Sequence, residues 1–93
     1  MGRDDEPEVV RLTVPADPEM VDVVRASVRA LCARVGLVDD EVETARNAVG
    51  EAFLELADGG GTVEVDVVVG TLALDFELQA PGRIRRVGAR RER

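Results

Sequence analysis

The sequence predicts a small α+β protein, a two-layer sandwich in which two helices cover one face of a mainly antiparallel sheet. Three patterns indicate this class: an alternating apolar segment near the start, two long segments with apolar residues at three- and four-residue steps, and two further alternating segments joined at a glycine. A chain of 93 residues has room for one such core and no second domain. The expected order is β-α-α-β-β.

The chain begins with a charged segment and a first strand. Residues 1–8 lack apolar periodicity, which indicates a disordered leader. Apolar and polar residues then alternate over residues 9–14, and Pro15 closes the segment. This alternation is typical of a half-buried strand.

A first helix is predicted over residues 18–35. Asp17 is a favourable N-cap, and Pro18 fits the first helical position because its missing N–H has no partner there in any helix. Gly36 is placed to end the helix. Cys32 lies among apolar residues of this helix and has no second cysteine to pair with, so we expect it in the core.

The second helix, residues 40–57, is the one around which the chain is organised. Asp40 and Glu43 have the spacing of a capping box. Glu51 and Glu55 lie one turn apart on the side away from the apolar stripe, and any chemistry would begin with this pair, although two acids on a solvated helix face are also common without function. The stripe that should lie on the sheet consists of Val42, Ala45, Val49, Ala52, Phe53 and Leu56.

Two further strands form a predicted hairpin. Residues 62–69 alternate between valines and polar residues, and Gly70-Thr71 fits a two-residue turn before the apolar positions from Leu72 to Leu78. This turn places Asp66 opposite Asp75 and Glu64 opposite Glu77. Like charges across a strand pair are unfavourable by roughly a few tenths of a kcal/mol each, so a basic neighbour is expected: Arg11, the arginine-rich tail, or a partner protein. The alternative is that the four acids only keep this face soluble.

Composition excludes several classes of function. The chain has no histidine, which removes the commonest general base and metal ligand. A net charge of −7 argues against a general nucleic-acid binder. No apolar run has the length of a membrane span, and the acidic start is unlike a secretory signal, so we expect a cytoplasmic protein.

Charge is distributed unevenly along the chain. Residues 83–93 hold six arginines and one glutamate, a charge of +5, so the preceding residues carry −12. We expect this arginine-rich tail to be disordered from residue 85 onwards and to steer encounters with a partner. The candidate partner-binding residues are Glu64, Asp66, Asp75 and Glu77 on the hairpin and Arg83, Arg85, Arg86, Arg90 and Arg91 in the tail.

Three segments resemble the anti-sigma-factor kinases, small members of the histidine-kinase-like (GHKL, Bergerat-fold) ATPase superfamily. VRLTVPADPEMVDVVRASVRALCARVGL resembles the first strand and helix of that family, AVGEAF resembles the start of its N-box, and GTVEVDVVVGTLALDFELQAPG resembles the hairpin before its adenine-binding box. The resemblance covers residues 9–82 and implies a reduced histidine-kinase-like domain. It also implies a role in transcriptional control by binding a sigma factor or an anti-sigma antagonist, commonly as a homodimer.

Both nucleotide boxes depart from the family pattern. Glu51 matches the N-box glutamate, but Glu55 stands where the family has a magnesium-binding asparagine. In the second box the adenine-binding aspartate is replaced by Leu78 and the next glycine by Ala80, while Gly82 is kept. Leucine cannot accept the adenine amino proton. Only the arginine-rich tail follows where the family has its nucleotide lid, so we expect no nucleotide and no metal to bind.

These observations predict a non-catalytic regulatory protein that acts by protein–protein binding and is not an enzyme. One alternative is a divergent serine/threonine kinase of the anti-sigma type, with Glu51 as base and Glu55 as an unusual metal ligand. Another is a structural or assembly module whose basic tail contacts nucleic acid or an acidic protein.

Overall fold

The structure is a computed structural model that describes residues 8–91. Two helices lie on one face of a four-stranded antiparallel sheet with the strand order β1-β2-β3-β4, which confirms the two-layer α+β class. Of the predicted leader, residues 1–7 lie outside the described part, and Glu8 is already the first residue of β1. The elements are β1 (Glu8–Pro15), a 3-10 turn (Pro18–Met20), α1 (Val21–Val35), α2 (Asp39–Leu56), β2 (Thr62–Val69), β3 (Ala73–Ala80) and β4 (Arg83–Arg90).

Local capping defines where the helices start and stop. Asp17 accepts a hydrogen bond from the backbone N–H of Glu19 at 2.9 Å, so the predicted start is correct, although its first turn is a 3-10 turn. Gly36 ends α1 in the left-handed region at φ +80°, where glycine has no steric penalty. At the start of α2 the carboxylate of Glu41 accepts the N–H of Val38 at 2.8 Å. The cap therefore lies earlier in the chain than the predicted Asp40 and Glu43.

The register of the β2–β3 hairpin is shifted by two residues from the prediction, since Val69 pairs with Leu74 and not with Leu72. Gly70 donates its N–H to the carbonyl of Ala73 at 2.8 Å, which closes a turn around Thr71 and Leu72. A shift of two residues keeps every side chain on the same face, so the apolar face still points to the helices. It leaves one acid–acid pair, Asp66 opposite Glu77, where the predicted register had two.

Residues 83–90 form a fourth strand, so the prediction that the tail is disordered from residue 85 is wrong for residues 85–90. A tight turn at Pro81-Gly82, with Gly82 at φ +75°, brings β4 back beside β3. The helix-facing positions Val87 and Ala89 are half-buried against the core. A strand with only two small helix-facing apolar residues is hard to recognise among arginines. Pairing along all eight residues of β3 supplies the other interactions that hold β4 in the sheet.

The core between the layers is built almost entirely from aliphatic side chains. No charged or polar side chain is buried among the described residues. Cys32 is fully buried, as expected, and burial raises the pKa of its thiol. The largest fully buried side chains are Phe53, Phe76, Leu56, Leu74 and Leu78.

Candidate functional site

Glu51 lies on the solvent-exposed surface of α2, in the segment that resembles the N-box. Its neighbours Gly50 and Ala52 are buried, so the helix is fixed against the rest of the domain while the Glu51 carboxylate points away from it. Within residues 8–91 its side chain forms neither a hydrogen bond nor an ion pair. Glu51 is therefore available to a ligand or a partner.

Glu55, one turn further along α2, is already engaged by β4. Arg85 donates from Nε to its carboxylate at 2.7 Å. Arg83 donates to the backbone carbonyl of Glu55 at 3.1 Å and to the carboxylate of Asp58 at 2.7 Å. The last turn of α2 has no basic residue of its own, so Arg83 supplies the positive charge that favours the negative end of a helix.

The residues that stand in the adenine box have structural roles in the described chain. Leu78 is fully buried on the helix-facing side of β3, opposite Val65 of β2 and Arg85 of β4. Ala80 is the last residue of β3 and pairs with Arg83, and Gly82 forms the turn into β4. The side chain of Leu78 thus contributes to the core and offers nothing to a base.

Sequence reasoning missed Arg25 of α1, which lies across Gly50 of α2. A Cβ built on Gly50 would come within 2.6 Å of the guanidinium Nε. That Nε is buried and has no hydrogen-bond partner, although the residue as a whole is half-exposed. The glycine immediately before Glu51 is the signal in the sequence, because a glycine inside a helix destabilises it and often marks a close approach.

The uncovered face of the sheet carries a row of four charged residues, one from each strand. Arg11 contacts Asp66 at 2.9 Å and Arg86 contacts Glu77 at 3.0 Å, while Asp66 and Glu77 are opposite each other. The hydrogen bond to Asp66 raises the pKa of the Arg11 guanidinium further. Two of the three expected sources of compensating charge, Arg11 and the arginine-rich segment, are therefore present within the chain.

Leu78 and Glu55 do not offer the free groups that the resemblance assigns to their positions. Leu78 has no acceptor for adenine, and the carboxylate of Glu55 is taken by Arg85. No group of three or more Cys, Asp or Glu side chains within residues 8–91 is arranged to hold a metal ion.

The fold and the surface of α2 together define a two-layer domain with an exposed glutamate on a central helix. Comparison with known proteins is consistent with the resemblance described above. The chain is 39% identical over 62 residues to the serine-protein kinase RsbW of Halalkalibacterium halodurans. The matched segment covers 62% of this chain and 38% of the length of RsbW. No protein-family model matches the chain.

This comparison corrects one prediction. The expectation that the chain is not an enzyme is contradicted, because the similar protein is a serine-protein kinase. Departures at three positions of the two nucleotide boxes, together with the expected lack of a lid, were too narrow a basis for that conclusion. As to the membrane, none of the helices within residues 8–91 combines the length and apolar character needed to span a bilayer.

Proposed function

We propose that this chain is a regulatory protein of the anti-sigma-factor-kinase type, which acts by binding a protein partner, either a sigma factor or an anti-sigma antagonist. The similarity to RsbW is the observation that carries this proposal. The order of elements and the AVGEAF segment on α2 support it, because both resemble that family.

The partner surface that we propose lies on the α1–α2 pair, around Arg25 and Glu51. The guanidinium of Arg25 packs over Gly50, and its buried Nε has no hydrogen-bond partner within the described residues. Glu51 follows Gly50 directly and is unpaired within the described residues. Leu54, one turn along α2, exposes 39% of its surface and adds an apolar contact. Arginine is enriched among the residues that dominate binding energy at protein interfaces.

Titration of purified sigma factors and sigma-antagonist proteins from the source organism tests this proposal. We expect one of them to bind in the micromolar range or tighter, as measured by calorimetry. Failure of every sigma factor and antagonist to bind at about 100 μM, which corresponds to less than about 5.5 kcal/mol of binding energy, would refute the assignment.

A second candidate is phosphorylation of a serine on the bound partner. The serine-protein kinase activity of the similar protein RsbW favours it, as does the exposed carboxylate of Glu51, which is unpaired within residues 8–91. Glu55 would first have to separate from Arg85. Incubation with radiolabelled Mg-ATP and the antagonist protein tests this candidate: label on serine that is lost with Glu51→Gln supports it, whereas absence of label from the wild-type reaction removes it.

We also propose that the chain forms a homodimer through β1 and α1. β1 is an edge strand, paired on one side only within the described sheet, and Val23 of α1 exposes 47% of its surface. The apolar content of this stretch of sequence, more than one helix face needs, also includes Met20, Val21, Val24 and Val28. Val24 and Val28 are buried in the core, whereas Met20 and Val21 are half-buried. Sedimentation at micromolar concentration should give a dimer that Val23→Asp converts to monomer, and a wild-type monomer would refute the proposal.

A further inference from the structure

The outer edge of β4 presents unpaired backbone groups. Arg91 donates its backbone N–H to the carbonyl of Leu72 at 2.7 Å, just beyond the β3–β4 ladder. Hydrogen-bonded pairs alternate along an antiparallel ladder, so the odd-numbered residues of β4 bond to β3. The backbone groups of Arg86, Gly88 and Arg90 therefore point away from the sheet, where the described chain places no further strand.

The side chains along this edge of β4 differ in character between the two faces of the sheet. Arg86 and Arg90 lie on the uncovered face with Gly88 between them, and two-residue steps along a strand place the two arginines about 13 Å apart. On the helix-facing side, Val87 and Ala89 are half-buried. One face of the edge is thus basic and the other is apolar.

Space for an added strand continues on the helix side. A groove of about 390 Å³ runs between the first turns of α2 and the end of β4. Its lining consists of Asp40, Glu41, Thr44 and Ala45 on the helix and Gly88, Ala89 and Arg90 on the strand, so the helix side would repel an acidic side chain and accept an apolar one. α2 packs against β4, so the helix layer already reaches the last strand. An apolar side chain next to Ala89 would enter this groove and extend the core.

We propose that the edge of β4 binds an extended acidic segment of a partner protein as a fifth strand. Acidic residues at positions i and i+4 of that segment would meet Arg90 and Arg86, and apolar residues at i+1 and i+3 would lie beside Ala89 and Val87. Position i+2 lies next to Gly88, which has Asp75 of β3 on its other side, so an uncharged residue is favoured there.

Charge favours such a segment over the other occupants. Arg90 and Arg91 have no ion-pair partner within the described residues, in contrast to Arg83, Arg85 and Arg86. A second copy of this chain fits poorly, because the other free edge, β1, has a single acid, Glu8, which is already paired with Arg34 at 2.8 Å. The competing interpretation is that the arginines only keep a free edge from aggregating.

The test uses a fluorescent peptide with the core Asp-Val-Ser-Val-Asp and a control with the order Val-Asp-Ser-Asp-Val, titrated with the intact protein by anisotropy. Both have the same charge and composition, but the control turns its acids to the helix side. We expect the first peptide to bind at least tenfold more tightly than the control. We also expect full N-methylation of its backbone to abolish binding, because the edge hydrogen bonds are lost.

Matched variants locate the site. Arg86→Ser together with Arg90→Ser should weaken binding of the first peptide at least tenfold, whereas Arg29→Ser on α1 should leave it unchanged. Equal binding of both peptides, or binding that survives N-methylation, would overturn the proposal in favour of unspecific charge attraction. Absence of binding would overturn it in favour of edge protection. Neither result bears on the Arg25 surface, which lies on the helices.

Discussion

Leu78→Asp, which places an aspartate where the resembling family binds adenine, should destabilise the protein severely rather than create a nucleotide site. Leu78 is fully buried in the middle of β3, with the helices above it and neighbouring strands on both sides. The nearest cation across the sheet, Arg85 of β4, is already paired with Glu55, so the variant places its carboxyl group among apolar side chains. The lost packing and the buried acid both lower the free energy of unfolding.

The expected magnitude follows from two contributions. Loss of a buried leucine side chain destabilises by about 2–5 kcal/mol. At pH 7 the new carboxyl must take up a proton, which costs about 1.4 kcal/mol for each pH unit above its ordinary pKa of about 3.9, hence about 4 kcal/mol. The total of about 6–9 kcal/mol is comparable with the whole stability of a domain this size, about 5–14 kcal/mol.

Urea denaturation followed by far-ultraviolet circular dichroism measures the effect, since the chain has no tryptophan or tyrosine. The folded state binds more protons than the unfolded state at this position, so the deficit relative to wild type should shrink by about 4 kcal/mol between pH 7 and pH 4. Leu72→Asp is the matched control, because Leu72 is 55% exposed in the β2–β3 turn and should change stability by no more than about 0.5 kcal/mol. A Leu78→Asp variant within about 1 kcal/mol of wild type would refute the placement of Leu78 in the core.

Three further predictions concern β4, Gly50 and Cys32. Deletion of residues 83–93 should lower the melting temperature by well over about 5 °C, because it uncovers the edge of β3 and the core behind it; calorimetry showing less would mean that β4 is not part of the fold. Gly50→Ala should raise the unfolding free energy by up to about 1 kcal/mol in urea titrations yet weaken partner binding, because the new Cβ displaces the Arg25 guanidinium; unchanged affinity would contradict that contact. Burial raises the pKa of the Cys32 thiol, so the unfolding free energy should fall as the pH rises above about 8.5, the usual thiol value, and Cys32→Val should remove that slope; an identical slope in the variant would contradict it.

The layers of the fold could be predicted from sequence because they depend on patterns within single segments. Asp17 and Gly36 mark the limits of the first helix, and valine alternation marks β2. The hairpin register was not predictable in the same way, because two turns differing by two residues bury the same side chains. Only the three-dimensional structure distinguishes the two registers, because it shows Asp66 and Glu77 paired with arginines from β1 and β4.

The site was only partly predictable for a related reason. Glu51 could be found from the segment around it, and its exposure on α2 agrees with that reading. Arg25 could not be found in this way, because the sequence of α1 does not indicate which residue of α2 its side chain contacts. β4 was interpreted as a loose tail because its stability comes from pairing with β3 and from ion pairs such as Arg85–Glu55, neither of which is visible in the segment alone.

The central claim is that this chain acts by binding a protein partner through the surface around Arg25. Its most direct test is the dissociation constant of the sigma factor or antagonist identified by titration, compared between wild type, Arg25→Ala and Arg11→Ala. Arg11 lies on the uncovered face of the sheet, opposite the helices. We predict at least a tenfold loss of affinity, or about 1.4 kcal/mol, for Arg25→Ala and less than a twofold change for Arg11→Ala. Equal affinities for all three proteins would contradict the claim.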